Sequence, residues 1–360
     1  MSTSPFMTPT QSRERRTRAA RRRRRRRTGS AVAVLAAVLA VGLTMALAKD
    51  SGASKHPHRT SHPSHARAHA PATVSQLGLP LGRPPLTLGG LADAAADPVR
   101  IPFHHPPRAG ILFNLDTGQV LWQRDAHERL RIASLTKMMT ALLTVEAEPA
   151  ATPVPITRLA VDQNGSKVGV LPLGRHVRLE TLLYGLMLPS GNDAAYALAQ
   201  RVAVTIPAFV ARMNEEAAHL GMSCTRYSSP SGYYDAHNYS CAADLAELAE
   251  ADLAQPRIAR VVRTYTAALP FPIKGGKLYL TNNNPMLIYH YPGATGLKTG
   301  WTIAAGRCLV ATAERGGVRL GVVLLNSTEP GTQARKLLDH AFADVYDQAP
   351  VAETPFPPGA

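Results

Sequence analysis

The stretch Arg131-Ile132-Ala133-Ser134-Leu135-Thr136-Lys137-Met138-Met139-Thr140 sets a serine and a lysine three residues apart at a predicted helix start. On a helix, that spacing puts both side chains on one face. A serine hydroxyl is a weak nucleophile unless a base takes its proton, and a lysine is such a base where burial and positive charge lower its pKa. The free N–H groups of a helix start also stabilise an oxyanion. Because the pattern also fits an ordinary amphipathic helix, the stretch alone leaves both interpretations open.

From about residue 109 the sequence is typical of a globular domain. Two apolar segments on either side of Asp116-Thr117-Gly118 predict a β-hairpin, because glycine supplies the positive φ of the turn. Helical periodicity follows at 179–187, 194–204, 207–220 and 242–253. The last third predicts a closing helix over 332–345, preceded by strands at 265–269, 277–280, 296–301, 308–313 and 318–325. This order favours an α+β domain, an antiparallel sheet with helices packed on it.

Positive charge is concentrated near the N-terminus. The net charge is +15, but residues 1–48 hold eleven Arg and one Glu, so ten of these charges lie there. Residues 31–48 carry no charge and are long enough, at about 1.5 Å per residue, to cross a hydrocarbon core. The arginines therefore predict that residues 1–30 are a basic cytoplasmic tail and that the rest is exported. Since membrane orientation explains them, no nucleic-acid partner is expected.

Residues 31–48 are either a removed signal peptide, with Ala46-Leu47-Ala48 as the cleavage site, or a retained membrane anchor. Residues 49–108 are rich in Pro, Ala, Ser and His and predict a disordered spacer, because they bury too little apolar surface to offset their ordering entropy. The histidines of this segment are irregularly spaced, so no metal site is expected. Residues 346–360, rich in Pro and Ala, predict a disordered tail.

Two further tripeptides change the interpretation of the first stretch. Ser190-Gly191-Asn192 lies in the predicted loop between two helices, and Lys298-Thr299-Gly300 lies in a predicted strand. Serine-x-x-lysine, serine-x-asparagine and lysine-threonine-glycine, in that order, form the signature of penicillin-recognising serine acyl enzymes. Each tripeptide is common by chance, whereas the ordered set on a helix, a loop and a strand is not.

The context of these motifs resembles the D-alanyl-D-alanine carboxypeptidases among the low-molecular-mass penicillin-binding proteins. The resemblance covers residues 109–345 and rests on 188–195, 296–302, Ser229-Pro230-Ser231-Gly232 and 239–245. It implies a β-lactamase/transpeptidase-like fold, in which a five-stranded antiparallel sheet is packed between helices. It also implies a serine peptidase without a cofactor that removes the terminal D-alanine of peptidoglycan stem peptides and is inhibited by β-lactams. Such an enzyme is extracytoplasmic, secreted or anchored to the cell membrane through residues 31–48.

The resemblance assigns catalytic roles to matching residues. It implies that Ser134 attacks the carbonyl between the two D-alanines, with Lys137 as the base, and that water then hydrolyses the acyl-enzyme. Ser190 is expected to relay the proton to the leaving amine, and the backbone N–H groups of Ser134 and Trp301 to form the oxyanion hole. Only eight of the forty basic residues are lysines, yet both motifs that need one have it, as expected for a group that titrates where arginine cannot.

Substrate-binding roles follow from the same resemblance. Asn192 is expected to hydrogen-bond the substrate amide, and Lys298 and Thr299 to meet the terminal carboxylate. Gly300 is expected to let the substrate backbone lie against its strand. The family often adds an arginine after the last core strand that helps bind the carboxylate, but residues 327–333 contain none, so recognition of the carboxylate is expected to be weaker or shared with Arg335.

Two alternatives remain open, a β-lactamase on the same fold and a non-catalytic penicillin-binding sensor. A class A β-lactamase uses a glutamate on a loop after serine-x-asparagine to deacylate. The first glutamates after Asn192 are Glu215 and Glu216, inside a predicted helix, which disfavours that alternative. These two and Glu146 are expected on helix surfaces. A sensor would keep Ser134 but deacylate very slowly.

Three cysteines occur in the predicted domain. Cys224 and Cys241 lie on either side of the 229–232 turn, and in an exported domain they could close a short loop as a disulfide. Cys308 begins an apolar strand and is expected to be a small buried residue.

Overall fold

The computed structural model of the chain describes residues 86–91, 94–233, 236–349 and 356–357. All of these residues belong to one compact unit. The predicted cytoplasmic tail, the apolar segment 31–48 and the first part of the spacer lie outside the described residues. Within the described part, no helix by itself is long and apolar enough to cross a membrane, and only the bent pair Asn192–Ala203 and Ile206–His219 reaches that length and composition jointly.

The strands of the described residues are mostly short outside one central sheet. In chain order they are β1 (Ala109–Asn114), β2 (Val120–Arg124), β3 (Leu130–Arg131), β4 (Pro153–Pro155), β5 (His176–Arg178), β6 (Tyr239–Ser240), β7 (Thr266–Pro270), β8 (Lys277–Thr281), β9 (Ala294–Thr302), β10 (Gly306–Arg315) and β11 (Val318–Ser327). The central sheet has the order β2-β1-β11-β10-β9, and every neighbouring pair is antiparallel. The predicted five-stranded antiparallel sheet is confirmed.

The helices follow the predicted segments closely, with three short ones added. They are α1 (Lys137–Ala147), α2 (Arg158–Val161), α3 (Leu179–Met187), α4 (Asn192–Ala203), α5 (Ile206–His219), α6 (Ala242–Ala254), α7 (Pro256–Val262), α8 (Pro285–Ile288) and α9 (Pro330–His340). The short helices α2, α7 and α8 are too brief to leave a periodic pattern in the sequence. The closing helix changes to a π-helical turn at Ala341–Val345.

Two hydrophobic clusters cover opposite faces of the sheet. Alternate strand residues divide between them, since successive side chains point to opposite faces. Val310 and Val323 belong to the larger cluster, which includes residues of α1 and α3 to α7. Leu309 and Leu324 belong to the smaller one, which includes residues of α9. The sheet is therefore the middle of three layers, and its edge strand β9 lies beside the turn that carries Ser134.

The domain begins earlier than residue 109, the predicted end of the spacer. Val99 is buried and its N–H donates to the carbonyl of Leu121 at 2.9 Å, while Asp97 accepts from the N–H of Gln123 at 2.8 Å. These contacts attach the segment to β2. The composition of residues 49–108 concealed this, because a few apolar residues near its end suffice to dock it on the sheet.

The predicted boundary at the other end also needs correction. Tyr346 accepts a hydrogen bond from Asn114, and Gln348 donates to the carbonyl of Arg315 at 3.0 Å. Phe356 packs against the smaller cluster. The beginning of the segment predicted as a disordered tail is therefore part of the domain.

Two of the glutamates expected on helix surfaces are wholly or partly buried. Glu216 on α5 is 7% exposed, and Glu146 near the end of α1 is half-buried. Glu146 lies close to Glu216 and to the wholly buried Asp252 of α6. The helical pattern did not reveal this burial. A carboxylate can be buried only where its neighbours allow it to stay neutral, and the sequence of one helix does not show those neighbours.

Candidate active site

Ser134 lies in a tight turn before α1 and not in the α-helix itself. Residues Ala133–Thr136 form a 3₁₀ turn, and α1 begins at Lys137. Ala133 has a φ of +47°, which is unusual for a residue other than glycine, and its carbonyl accepts a hydrogen bond from the Thr136 hydroxyl at 2.8 Å. This sharp entry exposes the Ser134 hydroxyl in a surface cleft and buries the lysine one turn later.

Lys137 is wholly buried, and its amine has three hydrogen-bond partners. Its Nζ lies 2.8 Å from Ser134 Oγ, 2.7 Å from Asn192 Oδ1 and 3.0 Å from the carbonyl oxygen of Ser231. The last two atoms can only accept, whereas the serine hydroxyl can also donate. A neutral amine would therefore be fully satisfied, with its lone pair accepting the Ser134 proton.

The surroundings of Lys137 favour the neutral amine. Burial lowers the pKa of Lys137 well below its ordinary value, and the nearby charge of Lys298 lowers it further. The negative charge of Asp193 opposes this shift but is the smaller effect. A buried lysine whose pKa is lowered in this way is suited to act as a general base.

The serine-x-asparagine motif lies between α3 and α4, as predicted. Ser190 has a φ of +65°, and its buried hydroxyl lines the cleft with no hydrogen-bond partner among the described residues. Asn192 is the first residue of α4. Its Oδ1 accepts from Lys137 Nζ, and its Nδ2 donates to the carbonyl oxygen of Asn164 at 2.5 Å. Asn192 thus holds the lysine in place from below the cleft.

A loop at residues 164–169 covers this motif, and sequence patterns did not identify it. Asp193 fixes the loop, because its carboxylate accepts from the backbone N–H groups of Val168 and Gly169, both at 2.9 Å. The backbone N–H of Asn192 donates to the carbonyl of Ser166 at 2.7 Å. Ser166 also lines the cleft, so the loop forms one of its walls.

The lysine-threonine-glycine motif lies on β9, the edge strand of the sheet. Lys298 is 1% exposed, its Nζ donates to the carbonyl of Thr299 at 2.9 Å, and burial lowers its pKa to about 7. Thr299 lines the cleft, next to Gly300 and Trp301. Lys298 is therefore behind the cleft wall, where its main electrostatic effect is on Lys137.

Gly300 is needed for a different reason from the expected one. A Cβ atom at this position would lie 2.9 Å from the carbonyl oxygen of Ile132 and 3.1 Å from the backbone nitrogen of Ser134. The glycine lets β9 pack against the turn Ala133–Thr136, which carries Ser134.

The segment Ser229–Gly232 supports the nucleophile turn from the other side. Besides the contact of Ser231 with Lys137, the carbonyl of Pro230 accepts from the Thr140 hydroxyl at 2.8 Å. Nearby, Cys224 and Cys241 form a disulfide with Cα atoms 5.9 Å apart, and Cys308 is a buried free thiol. The sequence resemblance included this segment but gave it no role in positioning the base.

The cleft has a volume of about 550 Å³. Five of the predicted site residues line it, namely Ser134, Ser190, Thr299, Gly300 and Trp301. Lys137, Asn192 and Lys298 are buried behind them. Tyr289, Asn283 and Arg307 also line the cleft, and the motifs gave no indication of them. Arg335 does not, since its guanidinium lies over the ring of Phe356 at 5.8 Å.

The Ser134 hydroxyl contacts a buried lysine, and the neighbouring edge strand β9 carries a second lysine and a threonine. This arrangement defines a serine acyl-transfer site. A family model described as D-alanyl-D-alanine carboxypeptidase matches residues 97–329. The chain belongs to the D-alanyl-D-alanine carboxypeptidase family of peptidases, and the predicted class of enzyme is confirmed. The family match also starts before residue 109, consistent with the contacts of Asp97 and Val99.

Individual relatives agree with this assignment. The chain is 36% identical over 266 residues to D-alanyl-D-alanine carboxypeptidase DacB2 of Mycobacterium tuberculosis, covering 70% of this chain and 88% of that protein. It is 34% identical over 255 residues to D-alanyl-D-alanine carboxypeptidase DacF of Bacillus subtilis, covering 69% of this chain and 64% of that protein.

Solved structures of similar proteins share the fold. A D-alanyl-D-alanine carboxypeptidase from Mycobacterium tuberculosis aligns with a TM-score of 0.65 at 33% identity, over 72% of this chain and 99% of that one. A Streptomyces DD-transpeptidase aligns with a TM-score of 0.64 at 32% identity, over 68% of this chain and 100% of that one. The predicted transpeptidase-like fold is thereby confirmed.

Proposed function

We propose that this chain removes the terminal D-alanine from peptidoglycan stem peptides ending in D-Ala-D-Ala, with Ser134 as the nucleophile and Lys137 as its base. The observation that carries the proposal is the 2.8 Å contact between Lys137 Nζ and Ser134 Oγ in a buried site that favours the neutral amine. The names of the relatives support the choice of substrate.

Acylation begins when Ser134 Oγ attacks the carbonyl carbon between the two D-alanines and its proton passes to Lys137 Nζ. The backbone N–H groups of Ser134 and Trp301 bind the resulting oxyanion. When the C–N bond breaks, the leaving amine takes a proton through the Ser190 hydroxyl. The products of this step are free D-alanine and an ester on Ser134.

Deacylation reverses the proton path. Lys137, neutral again, takes a proton from a water molecule that attacks the ester, and the Ser134 hydroxyl is restored. A β-lactam acylates Ser134 in the same way, but its leaving amine stays attached after the ring opens. Asn192 orients Lys137.

One observation favours the carboxypeptidase over the β-lactamase alternative. Among the described residues that line the cleft there is no Asp or Glu, which weighs against a β-lactamase with a dedicated glutamate. The sensor alternative differs only in the rate of deacylation. Residues 31–48 are the basis for the last part of the proposal. The protein is exported, and it stays anchored on the wall side of the membrane if this segment is not cleaved.

The test of the proposal is the release of D-alanine. The protein is incubated with a peptide ending in D-Ala-D-Ala, and free D-alanine is measured beside a Ser134→Ala variant. Intact mass after penicillin treatment should show one adduct, absent in Ser134→Ala and retained in Ser223→Ala, an exposed serine outside the cleft. An adduct without D-alanine release would indicate the sensor, and an adduct on Ser134→Ala would move the nucleophile elsewhere.

A further inference from the structure

The cleft contains a cation that the three motifs do not include. Arg307, near the start of β10, lines the same cleft as Ser134 and Thr299. In the β9–β10 pairing Arg307 lies opposite Trp301, and Leu309 lies opposite Thr299. Directly paired residues and alternate residues of a strand share one face of a sheet, so Arg307 and Thr299 are diagonal neighbours on the same face. Cβ atoms of such neighbours are about 7–8 Å apart, within reach of an arginine side chain.

A hydrogen bond to the segment before α9 places the guanidinium at the end of the cleft. Arg307 Nη1 donates to the carbonyl oxygen of Thr328 at 2.8 Å. Thr328 precedes α9, and Pro330, the first residue of that helix, also lines the cleft. The guanidinium is therefore beside a helix start, whose positive end favours a bound anion.

Arg307 is also the residue whose charge suits this position. None of the other described residues that line the cleft has a charged side chain. Lys298 is buried behind the wall, and burial lowers its pKa to about 7, so it loses its charge as the pH rises above neutral. An arginine stays charged at every accessible pH and presents a planar pair of donors that matches a carboxylate.

We propose that Arg307 binds the C-terminal carboxylate of the peptide substrate, and the matching carboxylate of penicillin, together with the Thr299 hydroxyl. It takes the role that the sequence suggested for Arg335, which lies away from the cleft. The last D-alanine then sits between the edge of β9 and the start of α9, with the scissile carbonyl of the preceding D-alanine at Ser134. The inference rests on the proposed carboxypeptidase function.

The test compares two peptides that end in D-Ala-D-Ala, one with a free carboxylate and one with a C-terminal carboxamide. For Arg307→Gln we expect kcat/KM to fall on the order of 10- to 100-fold with the carboxylate and to change little with the carboxamide. A merely structural role would lower both equally. Arg319→Gln on β11, which loses an ion pair with Asp116 away from the cleft, is the matched control and should keep the wild-type ratio.

The same comparison is made between the acylation rates with benzylpenicillin and with its methyl ester, so that the outcome does not depend on peptide hydrolysis. An unchanged ratio in Arg307→Gln, or a ratio that falls in Arg335→Gln instead, overturns the proposal. Failure of the proposed function is distinct from this result, because the wild-type protein would then release neither D-alanine from the carboxylate peptide nor D-alaninamide from the carboxamide peptide.

A measurement on the wild-type protein alone gives a second test. If Lys298 were the main partner of the carboxylate, the preference for the charged substrate would fall as the pH rises through about 7. With Arg307 as the partner, the kcat/KM ratio stays high at pH 8 and above. Titration of Lys137 affects both substrates alike and cancels in the ratio. Loss of the preference above neutral pH would assign the carboxylate to Lys298 and overturn the proposal.

Discussion

The two ends of α1 both bury ionisable groups, but with different consequences. At its start, Lys137 is wholly buried and each hydrogen-bonding position of its amine has a partner. Near its end, Glu146 Oε2 and both carboxylate oxygens of Asp252 are buried and have no hydrogen-bond partner among the described residues. At the start of α1 the buried ionisable group has all its hydrogen bonds, whereas near the end of α1 buried carboxylate oxygens lack hydrogen bonds.

Burial favours the neutral form at both ends. It lowers the pKa of Lys137 well below its ordinary value, raises the pKa of Asp252 well above its ordinary value, and raises the pKa of Glu146 to about 7. Neutral lysine is a base and touches a serine hydroxyl in an open cleft, whereas the neutral carboxyls touch no such group. The comparison teaches that a shifted pKa becomes catalytic only where the group contacts a reacting atom.

The largest effect is expected at the Lys137 end. Lys137→Arg puts a permanently charged guanidinium where the site favours a neutral amine and so removes the titratable base, and the rate of acylation by penicillin should fall roughly 10²- to 10⁴-fold. Stopped-flow fluorescence or timed intact-mass analysis measures this rate. Lys336→Arg, an exposed change of the same kind on α9, is the control and should acylate normally. Normal acylation by a folded Lys137→Arg would exclude Lys137 as the base.

A truncation tests the segment that packs on β2, at the opposite edge of the sheet from β9, and leaves both ends of α1 unchanged. A chain that starts at residue 105 lacks the buried Val99 and the Phe103 ring that meets Trp122, and should lose roughly 2–4 kcal/mol of unfolding free energy. A chain that starts at residue 86 keeps these contacts and serves as the control. Urea unfolding compares the two. Equal stability would restore the predicted boundary near 109, and penicillin should still acylate Ser134 in both at low temperature.

Gly300→Ala tests how closely β9 packs on the nucleophile turn. The added Cβ would press on Ile132 and on the backbone of Ser134, so unfolding free energy should fall by about 1–3 kcal/mol. Because the strain falls on the nucleophile, acylation by large and small β-lactams should slow alike. Gly89→Ala, where a Cβ meets no atom within 4 Å, is the control. Slowing confined to large β-lactams would instead support the substrate-space explanation.

The smallest effect is expected at the Glu146 end, and it depends on pH. Because the folded-state pKa of Glu146 is raised to about 7, the stability that its proton provides is complete below about pH 4.5 and is lost as the pH rises through 7. Glu146→Gln should therefore be more stable than wild type at pH 8, relative to pH 5, by about 1 kcal/mol, allowing for its partial exposure. Thermal melts at both pH values measure this.

The exposed Glu314→Gln on β10 is the control for that experiment. Its stability difference from wild type should be the same at pH 5 and pH 8. A Glu146→Gln variant that behaves in the same way would mean that Glu146 is solvated. The two ends of α1 would then differ in burial and not only in their partners.

Much of the fold followed from patterns that act locally. The helix at 179–187 has a strong helical period, and the hairpin of β10 and β11 has two glycines at its turn. The structure has both elements as predicted. Gly316 and Gly317 have φ values of +52° and +80°, as a tight two-residue turn requires. The boundary at residue 109 was wrong, because docking of residues 97–103 depends on a surface that only the folded sheet provides.

Sequence by itself determined the family and the order of the three motifs, and it predicted Ser134 and Lys137 as the nucleophile and its base, because each motif needs particular side chains at fixed local spacing. Only the tertiary structure decided what surrounds them. Asn192 and Ser231 meet Lys137 across 55 and 94 residues of chain, and Arg307 enters the cleft through the pairing of two strands. Such contacts have no fixed spacing, since they arise where distant segments pack, and burial there sets the pKa values on which the chemistry depends.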